Sequence, residues 1–468
     1  YHSHDVGINT KCGMTHDGTA LDKITGNSTN PRRYTFGSKE AFQLALLAIA
    51  LNGSTPHGYD PLDYFHIPIE LTAAEKAIIN TGDPRLDTVL VTLYRKMDTL
   101  EKFNKALPGY GGYIPFLGVR DNGLETTVKT DTDVGSLDDG LMVWGVYAVS
   151  HELGKTRYKD HVQLSLRYRK WFDMMADNAV TMFWNRTALH FAMSARMKQN
   201  DIPVASNTYW SNSPYASQGP LDGEPMGIFG DMFGTFESQE LRDKTWNIFK
   251  VNKVDWTTPS GVITVQKGWT YSPHESYKYL LLPYQDVEIQ RRLLSNCEKA
   301  RTWYSNLNGY PGMFGASYNS SSKYFVDVGV PPLSAHDKLK TDYYTPYGAF
   351  PTIMANHPVG LVWYNNMLKG PAMQGPYGST ESGMNDGTSV SSIISWDTKT
   401  SIVAILGGIG DIVRDALILD CKYQTFIDRI QTTYTKAFPV LKGEDIPYAM
   451  PKVTAPANAE RADFTLCS

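Results

Sequence analysis

The feature that most constrains this chain is a helical spacing of apolar residues, three and four apart, that recurs in segments separated by long patternless loops. The spacing predicts helices over Ser38–Leu51, Arg85–Ala106, Leu137–Glu152, Lys159–Asp177, Glu275–Tyr284, Gln285–Tyr304, Tyr347–Met367 and Tyr423–Phe438. The stretches Pro108–Gly118, Asp201–Pro220, Gly309–Tyr343 and Gly370–Trp396 are rich in Gly, Asn, Ser, Tyr and Trp and read as loops. Unpatterned loops of that length inside a compact domain are usually functional. Gly261–Gln266 and Thr400–Leu406 read as minor β-strands. No fixed-period repeat, linker or low-complexity segment interrupts the pattern. The reading is a mainly α fold, a single domain over 1–468, with residues 1–35 as an N-terminal extension packed on it. Helices with their loops gathered on one face suggest a helical toroid.

Composition narrows the function. With 42% hydrophobic and 20% charged residues the chain has material for a large core. A net charge of -4 supplies no basic field for nucleic acid. The best apolar run, Ala41–Leu51, is shorter than a membrane span and contains Gln43. A start at Tyr1 is what removal of a signal peptide leaves, and sequons stand at Asn27, Asn52, Asn185 and Asn319. Together they predict a secreted glycoprotein carrying N-linked glycans. In that setting Cys12, Cys297, Cys421 and Cys467 are expected to form at least one disulfide, of unassigned pairing.

Familiar signatures are missing. There is no nucleophile elbow, Walker loop or dinucleotide fingerprint, and His151-Glu152 and His274-Glu275 lack the second histidine of a zinc-protease helix. Gly407-Gly408-Ile409-Gly410 reads as a turn, and His2-Ser3-His4 as a frayed terminus, so neither a cofactor nor a metal is expected. What remains is carboxylates among aromatics, 28 Tyr and 10 Trp. Flat rings with a polar edge suit sugar rings as well as cores. Glycoside hydrolysis needs two carboxyl groups and a groove.

Four acidic clusters qualify. Asp131 to Gly140 carries Asp138-Asp139 directly before an apolar helix. One aspartate there reads as a helix cap, whereas two exceed what a cap needs. Leu221 to Gly230 sets Glu224 among glycines and apolar residues. Desolvation favours a protonated acid in such a context, and a first-turn helix acid is the simpler reading. Tyr271 to Tyr279 holds His274 and Glu275, with Lys278 placed to pair with Glu275 across one turn. Asp386 and Asp397 lie in the loop after Tyr377-Gly378.

The order of these segments resembles the glucoamylase-like (α/α)6 glycoside hydrolases that include the endo-β-1,2-glucanases of glycoside hydrolase families 144 and 162. Ser136-Leu-Asp138-Asp139-Gly140 resembles their Ser-x-Asp-Thr helix start, and Gly223-Glu224-Pro225 their Asp-Glu-Tyr segment. Lys267 to Glu275 resembles Phe-x-His-Gln. Asn296 to Arg301, followed by Gly312 to Ser317, resembles Asn-x-x-x-Ala-Arg and Trp-Gly-x-x-Ala-Ser. Tyr344-Thr-Pro346, Pro376-Tyr377-Gly378 and Trp396-Asp397 match the later signposts. The likeness spans about Ser136 to Ile409; its departures are Gly140, Pro225, Glu275 and Ser379-Thr-Glu381.

The resemblance implies an (α/α)6 toroid of the six-hairpin type and an inverting hydrolase acting on a β-glucan, β-1,2-linked by preference. It implies Glu224 as general acid and Asp397 as base, with Asp139 beside them as a third catalytic-site carboxylate. Asp138, Tyr215, Trp269, His274, Glu275 and Tyr377 are the expected contacts to an oligo- or polysaccharide. Two other readings stand beside it: a non-catalytic carbohydrate-binding or extracellular structural glycoprotein on the same scaffold, and a polysaccharide lyase.

Overall fold

The structure, a computed structural model, describes residues 3–126, 133–207, 209–210, 223–247, 251–318, 323–370, 372–387, 391–395 and 397–455. The described residues are mainly helical, with strands of two to six residues. The chain divides into two compact units. One comprises Tyr1–Asp17, Arg33–Lys250 and Leu406–Phe426; the other comprises Gly18–Arg32, Val251–Ile405 and Ile427–Ser468. They are called the first and second units below.

The first unit is built on two helices with no polar face. Gly37–Asn52 is buried from Gly37 to Leu51, and Ser136–Leu153 is nearly as enclosed. Helices apolar all round belong inside a core. Small residues let their backbones approach: a Cβ on Gly145 would stand 2.8 Å from the Leu44 Cβ and 3.0 Å from the Ala41 carbonyl. The amphipathic helices Pro84–Ala106 and Val162–Phe183 carry the expected two-sided pattern. Asp83 caps the former by accepting the Arg85 amide, with Pro84 preset for the first turn. Glu224–Phe233, Gln239–Asn247 and Gly410–Leu419 are further helices of this unit. Residues before Asp17 are tied in through Glu40, whose carboxylate accepts from Thr15 and Thr35 and pairs with buried Lys96.

In the second unit, Gly18–Leu21 and Ser28–Arg32 form a three-stranded sheet with Ile393–Ser395. Gly261–Gln266 pairs with Lys253–Thr258 and packs its buried face with Tyr271, Phe314 and Val330. Helices Glu288–Leu307, Phe350–Ala355, His357–Leu368 and Asp397–Ile405 supply most of the remainder.

Several expectations need correction. Glu275–Tyr284 is not one helix: a 3-10 turn at Pro273–Ser276, a single turn at Lys278–Leu281 and a 3-10 turn at Tyr284–Asp286 replace it. Extended Leu282, followed by Pro283, breaks the run. Tyr347–Met367 is interrupted at extended Asn356, which caps the second helix by accepting the Val359 amide. The supposed strand Thr400–Leu406 belongs to the helix Asp397–Ile405; short apolar runs do not distinguish the two. The expected disulfide is not tested where it involves Cys467, which lies outside the described residues. Among the described residues Cys12, Cys297 and Cys421 are not paired with one another; Cys12 is buried and its carbonyl accepts the Thr99 hydroxyl. Among the described residues no helix is long and apolar enough to cross a membrane, and no group of His, Cys, Asp or Glu is placed to hold a metal.

Candidate active site

The first unit's carboxylates sit on helix starts. The strand Asp133–Gly135 pairs with Ser194–Met197 and turns directly into the Ser136 helix. The Ser136 hydroxyl donates to the Ala192 carbonyl at 2.6 Å and its amide to Met193 at 2.8 Å, fixing the turn. Gly135 is the cap and no side chain caps this helix, so Asp138 and Asp139 are not spent on that role. Asp139 is fully buried. Its Oδ1 accepts the Ile114 amide at 3.1 Å, and its Oδ2 has no hydrogen-bond partner among the described residues. Burial raises its pKa well above the carboxylate range and the charge of Asp138 adds to this, against the Ile114 amide. Burial also raises half-buried Asp138, opposed by Ser38 and the Lys39 ammonium.

Glu224 is the first residue of the Glu224–Phe233 helix, and it is 0% exposed. Two contacts fix that helix start against the Ser136 helix. Trp144 Nε1 donates to the Pro225 carbonyl at 3.1 Å, and a Cβ on Gly140 would stand 2.9 Å from the Met226 amide. The first turns therefore touch, which brings Glu224 and the Asp138-Asp139 pair together in one region. Behind them Trp144, Phe172, Phe229 and Phe233 form an edge-to-face aromatic wall. Phe191 fills the space above Gly230, where any Cβ would stand 2.0 Å from its ring.

The second unit carries the aromatic and histidine candidates. Trp269 is 52% exposed and meets His336 edge-on at 5.5 Å. His274 is half-buried between the rings of Tyr277 and Tyr347. Its Nε2 lies 2.9 Å from the Tyr347 hydroxyl, which gives its one proton to the Ala316 carbonyl at 2.5 Å. Nε2 must then be the donor in the first of these bonds, which fixes the tautomer of the neutral ring.

Glu275 is occupied locally. Its Oε1 accepts from the amides of Thr270 at 2.9 Å and Tyr271 at 3.0 Å. It thereby holds a turn in which Tyr271 has φ 57°. Its Oε2 occupies the space above Gly268, so this glutamate and that glycine require each other. The expected pairing with Lys278 is replaced: Lys278 Nζ donates to the Tyr434 hydroxyl at 2.6 Å, among the rings of Tyr279, Tyr284 and Tyr434. Arg301 supports the same turn, donating to the Tyr271 carbonyl at 3.1 Å while it pairs with buried Glu298 at 3.2 Å. Glu381 is buried and accepts the Ser395 hydroxyl at 2.5 Å.

Asp397 heads the Asp397–Ile405 helix. The start of that helix is tied to the Tyr377 hairpin: Thr398 Oγ1 donates to the Ser379 carbonyl at 3.3 Å, next to Gly378 at φ 119°. Half-buried Tyr377 sits in that turn. Tyr215, Trp396 and Asn319 lie outside the described residues. Asn27 is exposed, and Asn52 and Asn185 are half-buried. Sequence reasoning missed Tyr347, Trp144 and Gly140 as the parts that orient the candidates. The only available signal for Tyr347 was its place directly after the Tyr344-Thr-Pro346 match.

A buried glutamate beside two aspartates of raised pKa, with exposed and half-buried aromatics elsewhere in the chain, defines a hydrolase of glycosidic bonds better than any other class. Comparison with known proteins makes this specific. The chain is a glycoside hydrolase acting on a β-glucan, and it belongs to the SGL endo-β-1,2-glucanase family, glycoside hydrolase family 162, which it matches over residues 14–468. An endo-β-1,2-glucanase from Talaromyces funiculosus, solved with sophorose, is 30% identical, with 97% of this chain and 91% of that one covered at a TM-score of 0.89. A Glu-to-Gln mutant of that glucanase, solved with β-1,2-glucan, matches at 30% identity and a TM-score of 0.90, covering 100% and 93%. The endo-β-1,2-glucanase from Chitinophaga pinensis, with sophorotriose and glucose, shares the fold at 14% identity and a TM-score of 0.60, covering 90% and 93%. Among curated proteins, no sequence matches.

Proposed function

We propose that the chain is an inverting endo-β-1,2-glucanase, with Glu224 as general acid and Asp397 as base. The observation that carries the assignment is the placement of Glu224, wholly buried on a helix start that packs against the Asp138-Asp139 turn. Family membership and the β-1,2-glucan bound by a 30% identical relative support the substrate. In an inverting reaction the acid gives its proton to the leaving oxygen while the base takes one from the attacking water. Asp138 and Asp139 hold substrate hydroxyls or water beside the acid. Trp269, His274 and Tyr377 are the proposed contacts to sugar rings. The mainly helical structure and the likeness to the two glucanases support the six-hairpin toroid that the resemblance implies.

The test is to incubate the protein with β-1,2-, β-1,3- and β-1,4-glucans and follow oligosaccharide release and anomeric configuration. Internal cleavage of β-1,2-glucan with inversion is expected. Retention, or cleavage confined to another linkage, overturns the reading. We further propose that the protein is secreted and glycosylated, with exposed Asn27 as the best placed acceptor. Unchanged electrophoretic mobility after endoglycosidase treatment of protein from its own host would refute the glycosylation.

A further inference from the structure

We propose that Phe116, braced by Tyr34 and Phe36, is a stacking platform for a glucose ring of the substrate, a subsite of the first unit beside its carboxylates. Phe116 is 45% exposed although the residues on either side of it are buried. It stacks on Phe36 at 5.3 Å and leans on Tyr34 at 4.5 Å. The three rings flank an antiparallel pairing of Tyr34–Thr35 with Leu117–Arg120, in which Thr35 faces Leu117. Cross-strand aromatic pairs of this kind hold ring planes in place.

A single exposed ring would be ordinary surface. Here the shelf is built on buried charge. The Tyr34 hydroxyl donates to Asp17 Oδ2 at 2.9 Å, and Asp17 Oδ1 pairs with Lys39 Nζ at 2.7 Å. The side chains of Lys39 and Asp17 are 3% and 2% exposed. The same ammonium lies 4.5 Å from the centre of the Phe36 ring. Burying an ion pair is costly unless it fixes geometry, and what this pair fixes is the orientation of two rings beneath an exposed third.

The shelf adjoins the candidate site along the backbone. Two residues before Phe116, the Ile114 amide holds Asp139. One residue after Phe36, a Cβ on Gly37 would stand 2.6 Å from the Asp139 amide nitrogen. A flat apolar ring presented to solvent at that point fits the C–H face of a pyranose, while nearby Asp138 offers an acceptor for its hydroxyls.

The inference rests on the β-glucan reading above, and the experiment separates the two. Calorimetric titration of β-1,2-glucan oligosaccharides of increasing length into the Glu224→Gln protein measures binding without turnover. Adding Phe116→Ala should weaken the longer chains roughly 3- to 10-fold. Phe116→Trp should restore them, and neither change should move the melting temperature. Equal affinity at every length with and without the ring overturns the subsite and leaves the glucanase reading intact. If the protein binds only β-1,3- or β-1,4-glucan, and Phe116→Ala weakens that binding, the subsite stands and the β-1,2 reading falls. Binding of no glucan at all overturns both.

Discussion

Glu275 and Glu298 of the second unit and Asp139 of the first use their carboxylates differently, although the first unit also spends Glu40 and Asp17 on structure. In the second unit Glu275 and Glu298 are consumed by their surroundings: two backbone amides, and an arginine with a threonine, respectively. Both support the turn at Tyr271, Glu298 through Arg301. In the first unit Asp139 keeps an oxygen with no hydrogen-bond partner among the described residues, and Glu224 is buried at the foot of a helix whose position is fixed by other residues. A buried carboxylate whose hydrogen-bonding capacity is filled stabilises structure. One that is held in place while keeping an unused oxygen, as Asp139 does, is available for chemistry.

The sharpest way to break this contrast is to remove the acid. Glu224→Gln preserves shape and should lower hydrolysis by about 10²–10⁴-fold with an unchanged melting temperature. A rate within a few-fold of wild type, measured as reducing ends released from β-1,2-glucan, would end the assignment.

Glu275→Gln should do the reverse. It removes the charge that receives two amides while leaving the proposed acid untouched. Stability should fall by about 1–3 kcal/mol, read by denaturant unfolding, with turnover of the folded protein within a few-fold of wild type. If turnover collapsed while stability held, Glu275 would belong with the reacting groups and the contrast between the units would fail.

Asp139 sharpens the comparison through pH. Its folded pKa is raised above the ordinary value of 3.8, so its contribution to stability is whole below that value. The contribution is lost as pH climbs through the raised folded value. Asp139→Asn removes this titration. The variant's stability should therefore lose less between acid and neutral pH, by up to one proton's slope of about 1.4 kcal/mol per pH unit. Parallel stability curves for the two proteins would show that Asp139 does not carry the titration.

How legible this was follows from what each segment buries. The helices Gly37–Asn52 and Ser136–Leu153 could be read from long apolar runs, and their small residues marked a close approach. The acidic clusters at Asp138-Asp139 and Glu224 stood out because charge is rare in such company. The helix that Glu224 begins was legible only as the reading of Glu224 as a first-turn acid, since Gly227 and Gly230 argue locally against a helix and packing on aromatic neighbours such as Trp144 and Phe191 overrides them. The function of Glu275 was hidden for another reason. Its partners are backbone amides of a strained turn, and amides carry no residue-specific sign. The hydroxyl of Tyr347 was hidden by distance along the chain, 73 residues from His274.

The smallest effect concerns that pair and asks whether the second unit adds anything besides scaffold. The Tyr347 hydroxyl has one proton and gives it to Ala316, so the neutral His274 ring must carry its own proton on Nε2. Its Nδ1 is then the ring's acceptor position, and the ring orientation that the hydroxyl fixes bears on how the residue meets sugar. Tyr347→Phe removes the hydroxyl while keeping the stacked ring, so packing changes little. Losing one neutral hydrogen bond is worth about 1 kcal/mol, so KM for β-1,2-glucan should rise about 5-fold with kcat nearly constant. A purely structural role would instead lower the melting temperature and leave KM alone. Nitrogen-15 NMR of the histidine ring gives the independent reading: one tautomer protonated at Nε2 in wild type, and a mixture in Tyr347→Phe. An unchanged tautomer in the variant would show that the hydroxyl does not set it, and would return His274 to the scaffold with the rest of its unit's buried polar groups.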